Sequence, residues 1–239
     1  MRAVILAAGR GSRMKEMTSS QPKCLIRIQG KSLLERQIES LNGAGISESA
    51  IVTSHYGHLL KGRTSETFHN PRWHATNMVT SLECASEWLS QHTCVVSYSD
   101  IFYSKVAIDL LMRCDEHIGI LYSVNWLELW TKRFGNPLLD AESFSFNDLG
   151  YVTEIGKSPN SVEEIQGQYM GLIYLTPCGW NQMKLALSQF AESERDKLSM
   201  THLLQRIIDN GTMPVMAIPY SGEWGEVDSE SDLKIYEKQ

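Results

Sequence analysis

The sequence predicts an α/β fold, a mostly parallel central sheet flanked by helices, on three observations. Residues 3–8 form a short apolar run that breaks off into Gly9-Arg10-Gly11-Ser12-Arg13, the pattern of a buried parallel strand emptying into a glycine loop. Further apolar runs at 50–53, 93–98, 118–124 and 214–219 are interleaved with helical spacing, and β-loop-α-β units of this kind imply parallel strands joined by right-handed crossovers. A chain of 239 residues, 42% hydrophobic, is long enough to bury such a core, and with no linker visible it reads as one domain over residues 1–239.

The glycine loop has the makings of a phosphate site. Glycines at 9 and 11 permit backbone angles and a close ligand approach that a Cβ would block, and successive N–H groups can converge on an anion. Arg13 and Lys23 add fixed positive charge. Two better-known phosphate motifs do not match. The dinucleotide fingerprint needs a glycine where Met14 stands, and a P-loop ending in Gly30-Lys31-Ser32 needs one where Leu25 stands. Taken whole, Leu6-Ala-Ala-Gly-x-Gly-x-Arg-Met14 followed by Pro22-Lys23 resembles the signature of the nucleotidyltransferases that activate sugar phosphates and phosphocholine. The resemblance implies a Rossmann-like nucleotidyltransferase fold and a nucleotide held by Leu6, Ala7, Ala8, Gly9, Gly11 and Ser12.

Composition narrows the partners. A net charge of −6 argues against non-specific nucleic-acid binding, which needs a basic face. The five cysteines form no CxxC pair and are odd in number, so neither a zinc ribbon nor a disulfide framework is supported. The opening apolar run is too brief for a signal peptide, and no stretch approaches the roughly 20 apolar residues of a membrane span, so the expectation is a cytoplasmic protein without a membrane partner. No motif encodes an oligomeric state, and a homo-oligomer stays open.

After the loop, residues 32–41 carry apolar positions at helical spacing, with Gly43 to Gly45 as a stop, and read as a scaffold helix. The spacing of His55 and His58 is not that of a zinc helix, so surface or hydrogen-bonded histidines are expected. Residues 68–82 read as a polar loop followed by a helix with Thr76 as its N-cap. In the family resembled, this segment faces the base, and Asn77 with Ser81, four apart and so on one helix face, matches its polar pair. The alternative is that Asn77 merely caps the helix. The run at 93–98 ends in Ser99-Asp100, which puts a carboxylate at the ligand-binding end of a parallel strand. Asp100 resembles the family's metal-binding aspartate, an oxygen donor suited to Mg²⁺.

From residue 125 the chain changes character. Hairpin-like alternation and turn residues suggest a small mixed-sheet excursion over 125–174, where acceptor specificity should lie. Trp126, Trp130, Glu128, Glu142 and Tyr169 offer aromatic faces and carboxylates, which suit a cationic or amino-bearing group. Lys157 and Gly171 fall where the family's acceptor-contacting lysine and glycine stand, so the resemblance implies that Lys157 holds the acceptor's phosphate; Arg133 is expected to assist by bidentate contact. Near the C-terminus, Glu223-Trp-Gly-Glu-Val-Asp228 resembles the family's closing motif and makes Asp228 the second metal ligand. Glu226 is placed on the other face of that strand and Asp232 a turn into the last helix, both as poorer candidates.

The resemblance is closest to the CTP-using phosphocholine branch, with its phosphoglutamine and 2-aminoethylphosphonate relatives. It implies a cytidylyltransferase in which CTP and a small phosphorylated amino-bearing acceptor react with Mg²⁺, releasing pyrophosphate and leaving a CDP-linked product for cell-surface polysaccharide or lipid. Chemistry of this type asks for positioning and charge neutralisation, here from Arg13 and Lys23 with Mg²⁺ on Asp100 and Asp228. Two alternatives stay open: a sugar-1-phosphate nucleotidyltransferase using UTP or dTTP, and a nucleotide-binding regulatory subunit without catalysis.

Overall fold

The computed structural model describes residues 1–9, 11–54 and 56–237. Arg10 of the glycine loop and His55 of the histidine pair lie outside the described residues. Among those described, β1 (Arg2–Leu6), β2 (Ser49–Thr53), β3 (Glu66–His69), β4 (Cys94–Tyr98), β5 (Ile118–Ser123), β6 (Gln168–Leu175) and β7 (Met216–Tyr220) form one sheet in the order β7-β5-β6-β4-β1-β2-β3. Only β6 runs antiparallel to its neighbours, so the mostly parallel sheet is as the sequence predicts. Ala3, Val4 and Ile5 are fully buried because β1 sits inside the sheet with helices over both faces, which is why it reads as an unbroken apolar run.

Register positions the site. Leu6 pairs with Tyr98 of β4 on one side and Val52 of β2 on the other, so the glycine loop and the Ser99-Asp100 turn leave the sheet side by side. The first long helix, Leu33–Gly43, begins at a capping box: the Ser32 hydroxyl accepts from the Glu35 amide at 3.2 Å, and Glu35 accepts from the Ser32 amide at 2.7 Å. Ser32→Ala is expected to cost about 1 kcal/mol of stability. A urea-unfolding midpoint equal to the parent's would show that water replaces the cap at no cost.

Two local expectations change. The helix after the polar loop is Met78–Glu83, and its cap is Asn77, whose side chain accepts from the Met78 amide at 2.8 Å. Thr76 instead donates to the Arg72 carbonyl and closes the loop. The start of the 125–174 excursion is a helix, Trp126–Phe134, because its tryptophans and Arg133 recur at helical rather than strand spacing and are buried together. The antiparallel pair Phe144–Phe146 and Val152–Ile155 follows, and β6 then re-enters the main sheet. A second apolar cluster, including Met14, Ile26, Leu33, Phe102, Val227 and Tyr236, lies beneath the loop and the C-terminal motif and joins the two ends of the chain. No helix among the described residues is long and apolar enough to cross a membrane.

Candidate active site

Two clefts open at the ends of the parallel strands and meet at a shared wall. The first, of about 240 Å³, is lined by the glycine loop, Lys23, the 73–81 segment, Tyr98 to Asp100 and Asp228. The second, of about 260 Å³, is lined by Trp130, Asp140, Glu142, Gln168 to Gly171, Ser199 to Thr201, Trp224 and Glu226. Arg13, Asn77, Met78, Tyr98 and Asp228 border both. Such a pair of clefts can hold two substrates end to end.

The loop is shaped by Gly11, which adopts φ +64°. A Cβ there would also lie 3.1 Å from the Lys23 side chain and 3.3 Å from that of Thr18, so position 11 demands glycine on both counts. Thr18 donates to the Gly11 carbonyl at 3.0 Å and ties the loop to the turn that follows. Lys23, 8% exposed, reaches from the short turn Lys23–Leu25 between two carboxylates, Asp100 Oδ2 at 2.8 Å and Asp228 Oδ1 at 2.7 Å. Burial alone would lower its pKa, but Asp100 and Asp228 outweigh burial and raise it, so the ammonium keeps its charge. Arg13 donates to the same Asp228 oxygen at 2.9 Å, with its own side chain 66% exposed toward the clefts.

Asp100 and Asp228 come together through a short antiparallel pair, Ile101–Tyr103 against Trp224–Glu226, in which the Val227 amide donates to the Asp100 carbonyl at 2.9 Å. Gly225 permits that pairing, since a Cβ there would come within 2.6 Å of Phe102 and Tyr236. Buried Gln37, from the scaffold helix, donates to the carbonyls of Tyr98 and Ile101 and pins the turn that carries Asp100.

Glu226 is not turned away. Carboxylate oxygens of Asp100, Glu226 and Asp228 lie within 4.8 Å of one another. The sequence-based placement misjudges the parity: residues two apart on extended backbone share a face. Burial, with Asp228 adding and Arg133 opposing, pushes the Glu226 carboxyl up to about 8. Asp228 moves the other way; burial would raise it, but Lys23, Arg13 and Arg133 together hold it below the ordinary range. The Asp100 Oδ1 atom is buried without a hydrogen-bond partner among the described residues.

The other expected site residues divide clearly. Leu6, Ala8, Gly9, Gly11, Ser12, Asn77 and Ser81 line the first cleft, while Ala7 is buried and lines neither. Ser81 accepts from buried Asn70 at 3.1 Å, and Asn77 donates to the Lys197 carbonyl. Trp130, Glu142, Tyr169 and Gly171 line the second cleft. Gly171 has φ +76°, and a Cβ on it would strike the Tyr98 ring at 2.9 Å.

Three residues stand elsewhere. Trp126 lines neither cleft and packs edge-on against Trp130 at 6.4 Å. Lys157 is exposed, lines neither cleft and pairs with Glu154. Arg133 has a side chain with 0% exposure, donating to Glu226 at 2.7 Å, Asp232 at 3.0 Å and Asp228 at 3.4 Å between the rings of Trp130 and Phe134. An arginine so enclosed supports the carboxylates and cannot grip a phosphate in this arrangement. Asp232, also buried, accepts from the amides of Asp228 and Ser229 and fixes the bend after the strand. His58 is exposed.

Sequence reasoning missed Tyr98, Gln168, Thr201 and Trp224 as cleft residues. The first two adjoin positions already singled out, Asp100 and Tyr169. Thr201 carries no local signal, since only the docking of helix Met200–Asn210 brings it to the cleft.

Residues 3–139 match the family described as the MobA-like NTP transferase domain. The chain belongs to that family. It is a nucleotidyltransferase, as the loop motif predicts. A CTP:phosphoglutamine cytidylyltransferase of Campylobacter jejuni is 32% identical over 254 aligned residues, covering 98% of each chain. The inositol-1-phosphate CTP transferase of T. maritima superposes with a TM-score of 0.78 at 22% identity, over 99% of this chain and 93% of that one. The CTP:phosphocholine cytidylyltransferase LicC of Streptococcus pneumoniae gives 0.73 at 20% identity, over 99% and 97%. Both structures share this nucleotidyltransferase's fold.

Proposed function

We propose that the protein is a cytidylyltransferase that joins CMP from CTP to a small phosphorylated, amino-bearing metabolite, with phosphoglutamine as the favoured acceptor, and releases pyrophosphate. The observation that carries this reading is the meeting of the two clefts at Arg13 and Asp228, with Lys23 bound to the same Asp228 carboxylate, in a chain whose relative over its whole length has that activity. CTP would occupy the first cleft, its phosphates along the backbone of Gly9 and Gly11, with Asn77 and Ser81 beside the base. The acceptor would enter the second cleft, its phosphate oxygen directed at the α-phosphorus across the shared wall. Arg13 would neutralise the departing pyrophosphate, and Lys23 the charge gathering at the α-phosphate, a reading supported by their lining the first cleft.

The carboxylate cluster fits Mg²⁺. Its donors are all oxygens, they converge within 4.8 Å, and Asp100 Oδ1 is a buried acceptor without a hydrogen-bond donor among the described residues. Asp100 and Asp228 would hold the ion, with Glu226 beside them, and the ion would supply Lewis-acid charge to the phosphates. Asp100→Ala is expected to weaken Mn²⁺ binding about tenfold or more, read from the free-ion electron paramagnetic resonance signal. Undiminished affinity would remove Asp100 from the metal site.

The deciding experiment measures pyrophosphate release with Mg²⁺, crossing CTP, UTP and dTTP with phosphoglutamine, phosphocholine, 2-aminoethylphosphonate and glucose 1-phosphate. Release with CTP and an amino-bearing acceptor is the expected result. Release confined to UTP or dTTP with the sugar phosphate would overturn it.

A further inference from the structure

Glu142 is a half-buried carboxylate that no described cation pairs with. It lines the second cleft, and among the described residues no lysine or arginine pairs with it. Among the described residues its carboxylate accepts only from the Thr201 hydroxyl, at 3.3 Å. Burial pushes its carboxyl above the ordinary range, against the Thr201 hydroxyl and a weaker pull from His202. The His202 ring is itself engaged by the Ser199 hydroxyl at 2.7 Å. The Glu142 backbone, in contrast, is locked. Buried Gln168 accepts from its amide at 3.1 Å and donates to its carbonyl, so the side chain leaves a fixed anchor at the cleft wall.

The rest of the cleft repeats the charge pattern. Asp140, Glu226 and Asp228 line it, and Arg13, at the border with the nucleotide cleft, is the sole lysine or arginine among its described lining residues. Trp130, 4% exposed, lines the same cleft, and its buried indole N–H has no hydrogen-bond partner among the described residues. A carboxylate drawn partly out of water without a cation is unfavourable until a ligand supplies one, so the cost of half-burying Glu142 becomes selectivity for a ligand that carries positive charge.

We infer that Glu142 is the specificity-determining residue for the acceptor, pairing its carboxylate with the acceptor's ammonium group while Gln168 and Thr201 hold it in place. The inference rests on the acceptor reading above and names the group that reading leaves unassigned. An ammonium placed there exchanges its water for a charge-assisted hydrogen bond, whereas an uncharged analogue leaves the carboxylate desolvated and unpaired.

The test compares kcat/KM for phosphoglutamine and 2-aminoethylphosphonate with that for each compound's analogue carrying hydrogen in place of the amino group, in the parent, Glu142→Gln and Glu142→Asp. Glutamine keeps the volume and the bond from Thr201, so folding is checked by thermal melting and nucleotide binding by calorimetry with CTP. The parent is expected to prefer the amino form by roughly 10- to 100-fold. In Glu142→Gln the two rates converge while CTP affinity holds, and Glu142→Asp recovers part of the preference. If amino-bearing acceptors turn over but Glu142→Gln slows both members of each pair equally, the inference falls and the acceptor reading stands. If only glucose 1-phosphate turns over, both fall.

Discussion

Lys23→Ala is expected to lower turnover by at least about a hundredfold, the scale of losing one preorganised charge-stabilising group. Lys23 is the more enclosed of the two described cations that line the first cleft, and it is held by two carboxylates from distant parts of the chain, Asp100 and Asp228. Its raised pKa keeps it protonated through the neutral range, so its charge is available at any pH at which such a reaction is assayed. The substitution also leaves Asp100 and Asp228 without the cation between them, so some loss of stability is expected beside the loss of rate. The two are separated by measuring pyrophosphate release at saturating substrates, well below the variant's own melting temperature. A folded Lys23→Ala protein with a rate near the parent's would remove Lys23 from the chemistry and leave it a structural ion-pair partner.

The second large effect is on stability. Arg133→Met should cost about 3–5 kcal/mol, because it removes one partner of a buried ion network and leaves carboxylates behind. Arg133 donates to Glu226, Asp228 and Asp232 from a fully enclosed position between two aromatic rings, and methionine fills the space without the charge. Coupling is checked in the double variant with Asp232→Asn, where the added cost should be smaller than the sum of the two single costs. Urea unfolding measures both. A cost below about 1 kcal/mol would mean that water or protonation of Glu226 relieves the network, and Arg133 would not be what holds the C-terminal carboxylates in place.

Much of the fold was legible in the sequence. The run at Ala3 to Leu6, its abrupt end in Gly9 and Gly11, and the apolar strands after it announce a parallel sheet, because strands buried on both faces cannot afford polar residues. The glycine loop, Arg13, Lys23, Asp100 and Asp228 also stood out, since each is a chemically restricted type at the end of a readable strand or loop. What failed was local or parity-based. Hairpin alternation was expected where Trp126–Phe134 is a helix, and Glu226 was placed on the wrong face of an extended segment whose residues two apart must agree.

By itself, then, the sequence determined the sheet, the glycine loop and the charged residues at strand ends, for these follow from hydrophobic period, glycine geometry and spacing along one backbone. Only the tertiary structure decided which of those charges meet. Lys23 lies between Asp100 and Asp228 because β1 and β4 are neighbours in register and because Ile101–Tyr103 pairs with Trp224–Glu226, contacts between segments far apart in the chain. The same packing turned Arg133 inward to three carboxylates, left Lys157 in solvent beside Glu154, and set Thr201 and Gln168 against Glu142. Burial and partner distance are properties of the packed chain, and they decide whether a charge binds substrate, supports a neighbour or is spent in water.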